Sequence, residues 1–175
     1  MDTEIEAKLK VDSLEEVKQK LVELGAEFLA EQLQTDCYFD DAGSTMKTGD
    51  KALRLRRQLT GKIEKVFLTY KGPKVKDNFK KRREIEIEIK NADSAEELLL
   101  SLGYEKILVF EKKRQVWKLS GCVVALDELP LLGSFVEIEG PDDKKISNVQ
   151  KSLGLAYLSH IVESYADLVA KKCLK

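Results

Sequence analysis

Acidic side chains recur at every second position near both ends of the chain, a spacing that places them on one face of a β-strand. Glu4 and Glu6 share a face in this way, and so do Glu137 and Glu139. Paired carboxylates suit a hard divalent cation, which prefers oxygen ligands and tolerates crowded negative charge. Lys8 follows on the face of Glu4 and Glu6, within about 14 Å along the strand. One strand therefore supplies two candidate metal ligands and a candidate phosphate contact.

Basic side chains show the same two-residue spacing further along the chain. Arg54 and Arg56 share one strand face, and Lys112 and Arg114 share another. Paired cations can hold a polyphosphate through charge-assisted and often bidentate hydrogen bonds. Carboxylate pairs and cation pairs in one protein predict a site that binds a metal ion together with a phosphorylated ligand.

These alternating strands permit two orientations. In most antiparallel sheets the charged residues face water, while Ile, Leu and Val face the core. Exposed strands usually mix their signs, however, because like charges two positions apart repel each other. The grouping of like charges weakens the case for charged residues facing water. The pattern alone still leaves both orientations open.

Composition limits the partners of the chain. It has 175 residues, of which 43% are hydrophobic and 35% are charged, so it can bury the core of one domain over residues 1–175. Lys and Arg number 30 and Asp and Glu 31, a net charge of −1. This balance gives no general attraction to nucleic acid or to an anionic membrane. We expect neither partner, and an anion-binding site has to be local.

The N-terminal residues and the cysteines indicate the cellular compartment. Residues 1–4 include acids where a secretory signal needs basic residues, and no apolar run approaches membrane-spanning length. Cys37, Cys122 and Cys173 are odd in number and lack metal-ligand spacing, which argues against a disulfide framework. We expect a soluble cytoplasmic protein with reduced cysteines.

Alternation with period two recurs along the chain and predicts about eight strands. The predicted strands are residues 4–11, 27–39, 53–56, 65–71, 82–89, 104–119, 121–127 and 135–139. Residues 41–51 are rich in Gly, Ser, Thr and Asp, and residues 72–79 carry Gly72-Pro73 and several charged side chains, so both segments are predicted to be mobile loops. The second loop is the candidate lid of the site.

Helix signals separate the strands. Capping boxes begin at Ser13 and Ser94, and each of these helices ends at a glycine. Two more helices are predicted over residues 142–153 and 159–172.

The two halves of the chain repeat one pattern. Residues 4–27 and 84–105 each read as a charged strand, a capped helix and the start of a long strand. Two such units related by a pseudo-twofold axis would close into an antiparallel barrel, because closure removes exposed strand edges. The predicted fold is α+β, with a closed eight-stranded antiparallel β-barrel.

Glu4-x-Glu6-x-Lys8 resembles the hallmark motif of the CYTH superfamily, the triphosphate tunnel metalloenzymes. That family includes class IV (CyaB-type) adenylyl cyclases, thiamine triphosphatases and inorganic triphosphatases. Companion motifs follow in the family's order over nearly the whole chain, namely Asp36-x-Tyr38-Phe39-Asp40, Leu53-Arg54-Leu55-Arg56, Leu68-Thr69-Tyr70-Lys71-Gly72, Arg82-x-Glu84-x-Glu86, Lys112-x-Arg114, Asp127, Gly133 and Glu137-x-Glu139. The CyaB-type branch is the most similar, including Glu163-Ser164-Tyr165 near the C-terminus.

The resemblance implies a single CYTH domain whose barrel forms a tunnel, with charged side chains inside and helices packed outside. The implied ligands of Mg²⁺ or Mn²⁺ are Glu4, Glu6, Asp127, Glu137 and Glu139. The implied triphosphate-binding cations are Lys8, Arg54, Arg56, Lys71, Arg82, Lys112 and Arg114. Catalytic roles fall to Asp127, Glu137 and Lys8, whereas Glu84 and Glu86 match a motif whose role varies across the family.

Three functions are compatible with this resemblance. The first, which the resemblance favours, is a class IV adenylyl cyclase that converts ATP to cyclic AMP and pyrophosphate. The second is an inorganic or thiamine triphosphatase, and the third is a non-catalytic sensor of nucleotide or polyphosphate. Some cyclases carry a His-Phe pair before the glutamate motif, where this chain has only three residues, so cyclisation is not secured. The expected partner is ATP, tripolyphosphate or thiamine triphosphate, and a homodimer is permitted.

Overall fold

The computed structural model describes residues 3–75 and 79–173. The elements, in chain order, are β1 (Thr3–Val11), α1 (Leu14–Glu23), β2 (Glu27–Asp41), α2 (Thr45–Thr48), β3 (Ala52–Thr60), β4 (Ile63–Val75), β5 (Lys80–Ile89), α3 (Ala92–Ser101), β6 (Tyr104–Leu119), β7 (Cys122–Leu129), β8 (Gly133–Glu139), α4 (Asp143–Ser152) and α5 (Tyr165–Cys173). Every predicted strand is present, with bounds that differ by a few residues. No helix in the described part of the chain is long and apolar enough to cross a membrane.

The strands close into an antiparallel barrel in the order β1-β5-β4-β3-β2-β6-β7-β8. β1 pairs with β5 and β2 pairs with β6, so corresponding strands of the two repeats are neighbours. If each of β1 to β4 is exchanged with its counterpart among β5 to β8, every strand keeps the same pair of neighbours around the barrel, as a pseudo-twofold axis requires. The predicted closed barrel with an internal repeat is confirmed.

The orientation of the strands is visible on β1, where both faces are buried. Ala7 and Leu9 point outward into the largest apolar cluster, whose other side is supplied by α1 and α4. Glu6 and Lys8 alternate with them and are buried inside the barrel. The ordinary orientation, with the charges facing water, is therefore wrong for this strand.

Two helix starts show how capping decides the boundaries. α1 begins as predicted, with the Ser13 hydroxyl accepting a hydrogen bond from the Glu16 N–H at 3.3 Å. α3 begins before the predicted Ser94, because the Asn91 side chain accepts the Ser94 N–H at 2.9 Å and is the N-cap. Asn and Ser are equally favourable N-caps, so the pattern alone does not rank them.

The last helix is shorter than predicted, because residues 159–164 run along the barrel before α5 begins at Tyr165. The Ile161 N–H donates to the Lys8 carbonyl at 2.8 Å, and Lys8 Nζ donates to the Glu163 carbonyl at 2.9 Å. These bonds tie residues 161–163 to β1, and they engage the Glu163 carbonyl, which would accept an internal hydrogen bond in a helix begun at residue 159. As a result, α5 packs into the end of the barrel where β7 joins β8.

The two predicted loops contain regular structure. The segment 41–51 includes the short helix α2, whose Met46 and Lys47 N–H groups donate to the buried Asp40 carboxylate at 2.9 and 3.0 Å. β4 continues through residues 72–75, with a register shift between Lys71 and Lys74. Residues 76–78 of the candidate lid lie outside the described residues.

Candidate active site

A cavity of about 450 Å³ lies inside the barrel, and its wall is charged. All seven predicted triphosphate-binding cations line it, as do Glu4, Glu6, Glu137 and Glu139. Asp127 is the one predicted site residue that is not part of the lining. The alternation of inward side chains along several strands brings these residues together from across the sequence.

One side of the cavity collects four carboxylates. Partial burial and the neighbouring charges of Glu4, Glu6 and Glu84 raise the pKa of Glu139 to about 7. Lys71 offsets part of this negative charge, because its Nζ lies 3.0 Å from Glu4 Oε2 and 2.6 Å from Glu84 Oε2. A cationic atom thus already lies between two of the carboxylates.

This donor set fits a hard divalent ion by its chemistry, since it consists of crowded carboxylate oxygens. The β1–β8 register places Glu6 directly opposite Glu139. Among residues 3–75 and 79–173, however, no three His, Cys, Asp or Glu side chains converge as a finished metal site would. The side chains would therefore have to rotate towards a bound ion.

A buried ion pair holds the cationic wall formed by β2 and β3. Arg56 donates from Nε and a terminal nitrogen to the two Asp36 oxygens at 2.6 and 2.7 Å. Burial alone would raise the pKa of Asp36, but the Arg56 and Arg54 charges outweigh it and hold that pKa well below its ordinary value. Asp36 therefore stays ionised and fixes the orientation of the Arg56 guanidinium.

Arg54 is anchored on its other side by β4 and β5. It donates to Thr69 Oγ1 at 3.1 Å and to Glu86 Oε2 at 3.2 Å, and the Thr69 hydroxyl donates to the same Glu86 oxygen at 2.8 Å. Its terminal nitrogen lies 3.9 Å from Glu84 Oε1. Glu84 and Glu86 thus pair with cations of the cavity wall.

Asp127 lies fully buried behind the cavity wall. Its carboxylate accepts hydrogen bonds from Arg114 Nε at 2.6 Å, from Lys112 Nζ at 3.2 Å and from the Tyr165 hydroxyl at 2.8 Å. Burial would raise its pKa, but the Arg114 and Lys112 charges lower it below the ordinary value. Its oxygens are engaged by cations of the protein, an arrangement that suits an anchor better than a metal ligand.

Lys112 and Arg114 respond differently to the same surroundings. Burial lowers the pKa of Lys112 to about 7, and the Arg114 charge adds to the effect, against Asp127 and Glu137. Burial also disfavours the charged form of Arg114, yet Asp127 and Glu137 raise its pKa well above the ordinary value. Arg114 is therefore a permanent cation of this wall.

Lys8 and Arg82 contribute in different ways. Lys8 Nζ lies 3.4 Å from Glu137 Oε1, so the amine and the carboxylate form a close pair on the cavity wall. The guanidinium of Arg82 donates to the backbone carbonyl of Gly72 at 2.9 Å through Nε and to that of Asp50 at 3.3 Å. Arg82 thus ties β5 to the end of β4 in addition to lining the cavity.

Other residues line the cavity without having been assigned a role from sequence. Asp36 and Tyr38 stand two apart on the inner face of β2, so alternation was the available signal for them. Ser164 and Tyr165 reach the cavity from the start of α5, where strand periodicity gives no signal. Only the resemblance of Glu163-Ser164-Tyr165 to the CyaB-type pattern pointed to that segment.

The arrangement combines a carboxylate side with a wall of buried cations. Its volume falls within the range of small-molecule pockets. Buried charges are costly unless they are paired, and here many of them are paired across the cavity. A bound polyanion could replace the carboxylates as partner of the cations, and a bound divalent cation could replace the cations as partner of the carboxylates.

Comparisons with known proteins agree with this geometry. The family model of the CYTH domain matches residues 2–165. A protein of Methanocaldococcus jannaschii, provisionally named an adenylate cyclase, is 32% identical, and the match covers 94% of this chain and 97% of that protein. The adenylate cyclase CyaB of Aeromonas hydrophila is 27% identical, over 94% of this chain and 87% of that protein. A solved protein of Pyrococcus horikoshii is 32% identical with a TM-score of 0.84, over 97% of this chain and 99% of the other. With the family model spanning most of the sequence, the chain belongs to the CYTH domain family.

Proposed function

We propose that the protein is a divalent-metal-dependent enzyme that binds a triphosphate inside the barrel and breaks one of its phosphoanhydride bonds. The observation that carries this proposal is the charged interior, where hydrocarbon would otherwise form the core of a small barrel. The free cysteines, of which Cys37 and Cys122 are buried, suit the reducing cytoplasm in which we place the enzyme. We propose that the whole chain acts as one catalytic domain.

The metal-binding role belongs to the carboxylate side of the cavity. Glu4, Glu6 and Glu139 would hold Mg²⁺ or Mn²⁺, which when bound offsets and orients the phosphate oxygens. The predicted ligand Glu137 is left out, because it pairs with Lys8 and Arg114 on the cationic wall. We leave Asp127 out of this set, because its oxygens are engaged by Arg114, Lys112 and Tyr165. Its proposed role is to anchor the two cations.

The cations would bind the phosphate chain and stabilise the transition state. Arg54, Arg56 and Arg114 present donors from fixed positions, because Asp36, Glu86 and Asp127 orient them. Charge that builds on the leaving oxygen then meets positive groups that need no reorganisation. The Glu137 carboxylate, which lies close to the Lys8 amine, is the candidate acceptor for the proton of the attacking nucleophile.

Hydrolysis of the triphosphate is the reaction that the lining supports best. Among the described residues, the lining consists of charged side chains together with Ala52, Ser164, Tyr38 and Tyr165. Such a wall can bind the phosphate chain, and it offers no apolar pocket of the size of a purine. In this reaction water attacks the terminal phosphorus and the bond from that phosphorus to the bridging oxygen breaks. The diphosphate is the leaving group, and orthophosphate is the other product.

Cyclisation of ATP is the second candidate, and the names of the M. jannaschii and A. hydrophila relatives favour it. In this reaction the ribose 3′-hydroxyl attacks the α-phosphorus and pyrophosphate leaves. The same cavity would serve, since the outcome depends on which nucleophile lies in line with the bond that breaks.

Incubation with ATP, tripolyphosphate and thiamine triphosphate, each with Mg²⁺ or Mn²⁺, tests the proposal by chromatography of the products. We expect orthophosphate and the matching diphosphate. Cyclic AMP with pyrophosphate would establish the cyclase instead. If all three compounds bind and stay intact, the protein is a sensor and the enzymatic proposal is wrong.

A further inference from the structure

Tyr165 has more partners than a residue that only fills space. It is the first residue of α5, is 6% exposed and packs with Phe110, Leu129 and Phe135 at the end of the barrel. Its ring meets that of Phe135 edge to face, with the centroids 5.3 Å apart. On its other side the same residue lines the charged cavity.

Two ammonium groups lie against the Tyr165 ring. Lys8 Nζ is 4.1 Å from the ring centroid and Lys112 Nζ is 4.7 Å from it. Both distances fall within about 6 Å, where the ring quadrupole attracts a cation. Both lysines are almost fully buried, so water screens this attraction little. The ring therefore offsets part of the cost of keeping two neighbouring cations away from water.

The Tyr165 hydroxyl reaches a third cation through a carboxylate. It donates to Asp127 Oδ2 at 2.8 Å, while Arg114 Nε donates to Asp127 Oδ1 at 2.6 Å. A carboxylate held at one oxygen cannot rotate freely, so the hydroxyl limits the orientations open to the Arg114 guanidinium. One side chain thus contacts or orients three of the cavity's cations.

We propose that Tyr165 is a positioning residue, which holds Lys8, Lys112 and, through Asp127, Arg114 in the arrangement that receives one phosphate group. This inference rests on the proposed function of the cavity and adds a residue to it. In this role Tyr165 acts through the cations it contacts or orients.

Three variants separate this role from simple packing. Tyr165→Phe keeps the ring and removes the hydroxyl, whereas Tyr165→Leu removes both. Val169→Ala is the matched control, because Val169 is buried in the same helix and the same apolar cluster and is not part of the cavity lining. The affinity for inorganic tripolyphosphate is measured by calorimetry with chelator present. Turnover of tripolyphosphate is measured with Mg²⁺, well below the melting temperature of every variant.

The proposal expects a graded loss of affinity. Tyr165→Phe should weaken binding about 10-fold, since a hydrogen bond to a charged group is lost. Tyr165→Leu should weaken it about 100-fold, since two cation–ring contacts are lost as well. The affinity of Val169→Ala should stay within about 3-fold of the wild-type value, even if its melting temperature falls as far as that of the Tyr165 variants. In turnover, KM should rise in the same order.

The proposal is overturned if Tyr165→Leu binds tripolyphosphate as well as Val169→Ala does. If Tyr165→Leu does not fold, Tyr165→Phe against Val169→Ala decides, and equal affinities overturn the proposal. Binding without turnover in the wild type would contradict the proposed enzymatic function and leave the affinity series as the test of Tyr165. A wild type that binds tripolyphosphate neither in chelator nor with Mg²⁺ would contradict both.

Discussion

Asp127→Asn should destabilise the ligand-free protein strongly. The carboxylate is fully buried and neutralises two buried cations, Arg114 and Lys112. Removing one partner of a buried ion pair typically costs about 3–5 kcal/mol, because the remaining charge is left uncompensated. Glu137 still pairs with Arg114 in the variant, so the lower end of this range, about 3 kcal/mol, is the expected loss.

The loss is measured as the change in the free energy of unfolding by urea, with chelator present and no ligand. For a domain of this size, about 3 kcal/mol corresponds to a fall of roughly 6–12 °C in the melting temperature. Glu139→Gln is the matched control, since it makes the same chemical change on the carboxylate side. Removing a charge that faces Glu4, Glu6 and Glu84 should leave the ligand-free stability unchanged or raise it.

The opposite pattern would refute the anchoring role of Asp127. If Asp127→Asn left the ligand-free stability intact and selectively weakened Mg²⁺ binding, Asp127 would belong with the metal ligands, as the family resemblance implied. Its contacts with Arg114, Lys112 and Tyr165 would then be those of the metal-free state alone.

Three further outcomes are expected. Glu4→Gln and Glu6→Gln should each abolish Mg²⁺-dependent turnover while the circular dichroism spectrum stays that of the wild type, and full turnover in either variant would contradict their metal-binding role. Arg56→Ala should weaken tripolyphosphate binding by about 2 kcal/mol, measured by calorimetry. The same variant should lower the urea midpoint, because Asp36 is left buried without the partner that binds both of its oxygens. An unchanged midpoint would count against that ion pair. The depressed pKa of Asp36 contributes stability at neutral pH that is lost as the pH falls below about 4. Urea midpoints should therefore drop from about pH 5 to about pH 2 less steeply in Asp36→Asn than in the wild type, and equal slopes would contradict this.

Strand alternation predicted most of the cavity wall. A side-chain period of two determines which residues share a face, so Glu4, Glu6 and Lys8 had to point the same way wherever β1 lay. The pattern did not determine whether these charged side chains face the inside or the outside of the barrel. That choice depends on α1 and α4, which bury the alternate residues Ala7 and Leu9 on the outside.

Contacts between distant segments were harder to predict. Asp127 carries the same charge as the cavity glutamates, and only its pairing with Lys112 and Arg114 across β6 and β7 distinguishes an anchor from a ligand. The start of α5 at Tyr165 depends on hydrogen bonds that join the backbone of residues 161 and 163 to the carbonyl and the side-chain amine of Lys8, which no local propensity encodes. Such tertiary contacts override local signals when the competing local structures are close in energy.

Phosphorus NMR of tripolyphosphate mixed with the protein and Mg²⁺ shows directly whether the enzyme hydrolyses a triphosphate with a divalent metal. We expect orthophosphate and pyrophosphate resonances to grow with time, excess chelator to stop their growth, and Glu4→Gln to give none. Tripolyphosphate resonances that stay unchanged in shift and intensity with the wild type and Mg²⁺, or hydrolysis that continues at full rate in excess chelator, would contradict this expectation.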